Sequence, residues 1–175
     1  TKALTDLVNA NGGIVPPGTT PPVLPMVVNI SLAGSINYTS ETACDYDNSN
    51  VFRNQVKALR DRGIPTFAAT GNQNAGAYPH PACSQYVIKV SAAPNDGVGL
   101  SRASYANLVP PGTFTQKTFI AIGGENSTGV FAGGRLSNDH VVGSFGTSQA
   151  TAHMSGFAAS YKSQYPNATV DDLVE

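Results

Sequence analysis

The sequence predicts an α/β fold, a three-layer sandwich built on a mainly parallel sheet, and three observations lead there. Residues 26–70 read as strand, helix, strand. Two further apolar runs rich in β-branched residues follow at 86–93 and 119–123. The stretch VVGSFGTSQATAHMSGFAA at 141–159 then passes from glycine-rich chain into a helix with almost no charge. A helix of that kind suits a central, buried place between layers.

The elements follow in order. Residues 3–10, ALTDLVNA, set Leu4, Leu7 and Val8 on one face and stop at Asn11-Gly12-Gly13, a short helix with a glycine exit. IVPPGTTPPVLP at 14–25 holds five prolines, which remove donors and fix φ, so it is a surface loop. MVVNISLAG at 26–34 reads as a strand buried on both faces. Residues 35–50 are polar and loop-like, and Ser49 or Asn50 can cap the helix VFRNQVKALRDR at 51–62. There Phe52, Val56 and Leu59 share a face, Arg53, Lys57, Arg60 and Arg62 take others, and Gly63 ends the run. IPTFAAT at 64–70 is the second strand, which completes a βαβ unit with a right-handed crossover.

YVIKVSAA at 86–93 and FIAIG at 119–123 supply a third and a fourth strand, and Val141-Val142 is strand-like. The helix after Ser148 sets Ala150, Met154, Phe157, Ala158 and Tyr161 on one stripe. Ala152, Gly156 and Ala159 lie on the other face, so close packing is open to it all round. Tyr165-Pro166-Asn167 ends it, and VDDLVE at 170–175 begins one more helix.

Composition narrows the function. The chain has 175 residues, enough for one domain with a sizeable core. Charged residues make up 12% and the net charge is −1, which offers no field for nucleic acid or an anionic membrane. No apolar run approaches the ~20 residues that span a bilayer. Cys44 and Cys83, in a low-charge chain rich in Ser, Thr and Asn, suit an oxidising, secreted setting, though on composition they can equally be two unrelated thiols. Zinc-ligand spacing, a P-loop and a dinucleotide fingerprint are absent. DYDNSN at 45–50 alternates acids like a calcium loop, but Asn50 and Val56 stand where that loop needs Gly and Glu, so it reads as a polar cap.

Parallel sheets place sites at the carboxyl ends of their strands. Two segments sit there, SLAG at 31–34 and AATGN at 68–72. Gly71 permits a sharp turn, and Asn72 then projects from the strand end as an uncharged donor pair, either a turn residue or a donor to a developing oxyanion. Ser148 at the head of a helix is either a cap or a nucleophile. As a nucleophile it has its own unpaired N–H and a favourable helix dipole beside it. Gly146 leaves room for a substrate backbone.

Taken together, SLAG, AATGN and G-T-S-x-A-T-x-H, in this order and spacing, resemble the subtilases, the subtilisin-like serine peptidases, over nearly the whole chain. The resemblance implies serine endopeptidase chemistry on peptide or protein substrates. It implies Ser148 as nucleophile and Asn72 as oxyanion donor. Ser31, Leu32, Ala33 and Gly34, with Ala68, Ala69, Thr70 and Gly71, would form the two walls of the pocket for the side chain before the scissile bond. The first wall would also pair with substrate backbone as an added strand. Some secreted subtilases look similar around HPACSQYVIKVSA at 80–92, which implies a Cys44–Cys83 bridge. The family implies no organic cofactor. Structural calcium is compatible with it, without assignable ligands.

The family's Asp lies in D-[ST]-G and its His in an H-G segment, and neither motif is present. His153 lies five positions after Ser148 on the same helix, about 140° around it, so the two side chains diverge. His80 and His140 lack a carboxylate partner in a recognisable motif. The expectation is therefore a single partial catalytic domain over 1–175, incomplete on its N-terminal side, that carries the nucleophile half and does not turn over alone. An uncovered sheet edge would invite self-association. Gln149, Ala152 and AIGG at 121–124 depart from the family's usual Met, Pro and A-P-G, which keeps a catalytically dead, peptide-binding relative as the rival reading.

Overall fold

A computed structural model describes residues 2–10, 26–47, 50–96, 101–114, 117–124, 130–133 and 141–175. The expected loop at 14–25, Ser49 and His140 lie outside these. The elements are α1 (Lys2–Ala10), β1 (Val28–Ile30), β2 (Asn37–Tyr38), α2 (Glu41–Asp45), α3 (Arg53–Arg60), β3 (Thr66–Ala69), β4 (Tyr78–Pro79), β5 (Ile88–Ala93), β6 (Thr118–Ile122), β7 (Val130–Gly133), β8 (Val141–Ser144) and α4 (Thr147–Gln164). A 3₁₀ turn at Asp171–Leu173 replaces the expected last helix.

The central sheet has four strands in the order β1-β3-β5-β6, all parallel, with Ile30 opposite Ala68 and Ala69 opposite Val90. Period-two alternation sends its side chains to two layers. Phe67, Ile88, Val90 and Ala92 pack with Ala150 and Ala158 of α4. On the other face Ala68 and Val87 pack with Val56 of α3, Tyr78 and both cysteines. Val8 of α1 closes over Leu59 and Ile64. The three-layer α/β architecture is thus as expected.

Local departures have physical causes. The first predicted strand shortens to three residues, with Asn29 exposed; among the described residues β1 pairs on one side only, with β3. The polar segment 35–50 contains α2, which the short-range pattern hides. Its start is capped by Ser40 Oγ, which accepts from the Ala43 N–H at 3.3 Å. α3 is shorter than the helix expected at 51–62 and its capping residue is Phe52; Asn50 Oδ1 holds the turn that leads into it, accepting from the N–H groups of Phe52 and Arg53 at 3.2 and 3.1 Å.

The inner stripe of α4 differs from the apolar one predicted. Thr147, Thr151, Ser155 and Lys162 are buried beside Ala150 and Ala158, whereas Phe157 is 67% exposed and Ala152, Gly156 and Ala159 face outward. Burial of that polar face is tolerated because its groups are satisfied locally. Thr151 Oγ1 donates to the Thr147 carbonyl at 2.7 Å, and Ser155 Oγ donates to the Thr151 carbonyl at 2.8 Å, each one turn back along the helix. Lys162 Nζ donates to the carbonyls of Gly63 and Ala168.

Candidate active site

The site forms where β1 and β3 end and α4 begins. Thr70 leaves β3 with its N–H bonded to the Val90 carbonyl and its hydroxyl to that of Asn107. Gly71 then turns the chain at φ +99°, a conformation that favours glycine. A Cβ there would also stand 2.7 Å from Asn107 Nδ2. Asn72 follows, exposed at the strand end.

Asn72 is held by the helix it faces. Its Oδ1 accepts from the Thr147 N–H at 3.0 Å and from the Thr147 hydroxyl at 2.8 Å. The same hydroxyl accepts from the Gly71 N–H at 3.1 Å. With the amide oxygen occupied twice, the amide nitrogen is turned the other way. A Cβ placed on Gly146 would stand 3.2 Å from Asn72 Nδ2 and 3.8 Å from the Ser148 nitrogen. Both nitrogens thus lie near the one point above Gly146, where Gln149 Oε1 also approaches, 2.8 Å from the same Cβ position.

Ser148 is not the cap of its helix. The helix starts at Thr147 with Gly146 as the capping residue, so Ser148 is the second helical residue, and Asn72 supplies the side-chain acceptor for the helix start. The Ser148 N–H belongs to the first turn, where no intrahelical acceptor exists. Its hydroxyl donates to the Ser31 carbonyl at 3.1 Å, and the Ser31 hydroxyl donates back to the Ser148 carbonyl at 2.9 Å.

The two expected wall segments lie beside this volume and differ in character. Leu32, Ala33 and Gly34 are open to solvent and run irregularly after β1. Ala68, Ala69, Thr70 and Gly71 are buried, so this second wall offers backbone rather than side chains. Gly34 is fixed from behind, its N–H donating to the His80 carbonyl at 2.8 Å.

Cys44 and Cys83 form a disulfide, with Cα atoms 5.8 Å apart. His80 Nδ1 lies 3.4 Å from each sulfur, and its ring meets Tyr38 at 4.7 Å. Burial pulls the His80 pKa below its ordinary value, against the pull of Asp47 and Asp45. The Cys44, His80 and Cys83 atoms form a compact group that could in principle grip a metal, but both sulfurs are engaged in the bridge. His153 is tied through Nδ1 to the Ile122 carbonyl at 2.6 Å. Neither His80 nor His153 bonds to the Ser148 hydroxyl, whose acceptor is the Ser31 carbonyl.

Two supporting residues were not singled out from the sequence. Asn107 is fully buried and holds the loop after Asn72, its Oδ1 accepting from the N–H groups of Gln73 and Ala75, both at 2.9 Å. Lys89 is also fully buried, bonded to Glu41 Oε1 at 3.0 Å and the Ser84 carbonyl at 2.9 Å. Burial lowers its pKa, while Glu41 opposes that shift. A lysine inside an apolar strand pattern was the available signal for the second; nothing local marks the first.

Known proteins resemble this chain. A "Thermostable alkaline protease" of Halalkalibacterium halodurans is 31% identical over 118 residues, which is 67% of this chain and 29% of that protein. A protease of Pseudoalteromonas arctica superposes with a TM-score of 0.68 at 26% identity, over 97% of this chain and 48% of its own. A cold-adapted subtilisin-like serine proteinase gives 0.65 at 23%, over 97% and 50%. The prenylagaramide maturation protease PagA gives 0.65 at 18%, over 96% and 51%. The chain thus spans about half the length of these solved structures and under a third of the alkaline protease. The model of the subtilase family matches residues 16–175, and the chain belongs to that family.

Proposed function

We propose that this chain is the nucleophile-bearing part of a serine endopeptidase domain. Ser148 attacks the peptide carbonyl, and Asn72 Nδ2 with the Ser148 N–H receives the oxyanion. The observation that supports this reading is the convergence of Asn72 Nδ2 and the Ser148 nitrogen near Gly146, with Asn72 locked by Thr147. The open segment 31–34 and the backbone of residues 68–71 hold the substrate, and their small, uncharged character favours an uncharged side chain in the pocket. The His and Asp of the triad come from outside these 175 residues, so the isolated chain does not turn over. The outer strand β1 is then an edge open to pairing, and the isolated chain self-associates through it. The disulfide supports a secreted protein.

The rival reading is a catalytically dead subtilase that binds peptides through the same cleft. It is favoured by one observation: the Ser148 hydroxyl is bonded to a backbone carbonyl and neither described histidine reaches it. A fluorophosphonate probe applied to the whole protein that contains this chain separates the two. Labelling that maps to Ser148, is lost in Ser148→Ala and falls by ~10²–10³ in Asn72→Ala supports the peptidase, the magnitude being that of an oxyanion asparagine in a subtilisin. Absence of labelling, with peptide binding retained, supports the binding module. A monodisperse monomer of the 175-residue chain would count against edge pairing.

A further inference from the structure

Asn29 is exposed on β1, which among the described residues pairs only with β3, and core packing does not explain it. Its side chain nevertheless touches the site at two levels. Nδ2 donates to Ser31 Oγ at 3.0 Å, and Oδ1 accepts at 3.1 Å from Ser155 Oγ, whose proton is shared with the Thr151 carbonyl. Ser155 follows Ser148 by about two helical turns, so one amide on β1 meets α4 directly at Ser155 and through Ser31 at Ser148.

Proton counting shows what the amide does. The Ser31 hydroxyl has one proton and two acceptors in reach, the Ser148 carbonyl at 2.9 Å and Asn29 Oδ1 at 3.3 Å. When Nδ2 donates into Ser31 Oγ, the hydroxyl serves as acceptor on that side, and its proton is left for Ser148. An acceptor in place of Nδ2 would draw the proton away and open the contact to Ser148. We propose that Asn29 is a positioning residue for Ser148, acting through Ser31 and resting on the nucleophile reading above. It fixes the height of the first turn of α4 against β1, while Thr147 fixes the same turn against Asn72 from the other side. Both braces set where the Ser148 hydroxyl stands relative to the oxyanion donors, and a misplacement of about 1 Å can cost ~10²-fold in rate.

The test uses the whole protein and separates the maximal rate of fluorophosphonate inactivation, kinact, from the binding constant, KI. Asn29→Asp keeps the size of the side chain and replaces the donor by an acceptor; Ser31→Ala removes the relay. Each should lower kinact by about tenfold; Asn29→Asp, which lies outside the substrate-holding segment, should leave KI within about twofold, because placement and not binding is lost. The double variant should be no slower than the slower single one, since both changes open the same contact. Ser31→Thr, which restores the hydroxyl, should recover part of the rate lost in Ser31→Ala. Unchanged kinact, a change confined to KI, or single effects that multiply in the double variant would each overturn the proposal, even if melting temperatures fall. A wild-type protein that is not labelled at Ser148 overturns the nucleophile reading itself, and the proposal with it.

Discussion

Replacement of Thr147 by valine tests the lock on Asn72. Thr147 is 1% exposed, and its hydroxyl makes two bonds, donating to Asn72 Oδ1 at 2.8 Å and accepting from the Gly71 N–H at 3.1 Å. Valine keeps the shape and removes both. Asn72 Oδ1 retains the Thr147 N–H, so little is lost on that side. Gly71 is buried, however, and its N–H is left without this acceptor. An unsatisfied buried donor costs about 1–3 kcal/mol, and the lost hydroxyl bond adds up to about 1 kcal/mol. The sum is about 1–4 kcal/mol, which for a domain of this size lowers Tm by about 2–16 °C. Thr147→Ser keeps both bonds and loses one methyl, about 1 kcal/mol, so it should melt between wild type and Thr147→Val. Calorimetry on the three proteins decides the matter. A valine variant that melts at or above the serine variant would show that packing, and not the hydroxyl, holds this junction.

Other perturbations probe the supports. Glu41→Gln leaves the buried Lys89 ammonium opposite a neutral group and should cost about 3 kcal/mol in urea unfolding, whereas Lys89→Met with Glu41→Leu should recover most of it. Asn107→Ala deprives the Gln73 and Ala75 amides of their acceptor and should cost about 2 kcal/mol in urea unfolding. His80 has a folded-state pKa below its usual 6.5, so the unfolded chain binds more protons in the window between those two values. Stability is then lost as pH falls through that window, and His80→Gln should flatten the fall of Tm on the acid side of pH 6.5. Reduction of the Cys44–Cys83 bridge, which spans 39 residues, should cost about 4 kcal/mol, read as a drop in the urea midpoint.

Much of the architecture was legible because its signals are local. The runs at 64–70 and 86–93 are apolar and β-branched, and they became β3 and β5, buried along their whole length. Gly71 marks its turn by residue type alone, and the order of SLAG, AATGN and GTSQA was enough to bring three distant segments to one place. Signals failed where a partner lies far along the chain. The apolar stripe expected on α4 includes Phe157, which stands in solvent, because the buried face mixes Ala150 and Ala158 with Thr147, bonded to Asn72, and with Thr151 and Ser155, whose hydroxyls bond back to their own helix. The segment 35–50 hid α2, whose five residues are too few for periodicity to show.

The amino-acid order by itself determined the four strands of the central sheet, the crossover and the choice of Asn72 and Ser148 as the residues to watch, since propensity, periodicity and motif spacing all act over short stretches. Only the tertiary structure decided that Thr147 is the lock, Asn107 the support and Asn29 the brace. Thr147 and Asn72 are separated by 75 positions and Ser155 and Asn29 by 126. Bonds of that kind depend on sheet register and on the height of α4 above the strands, and neither is written in any local pattern.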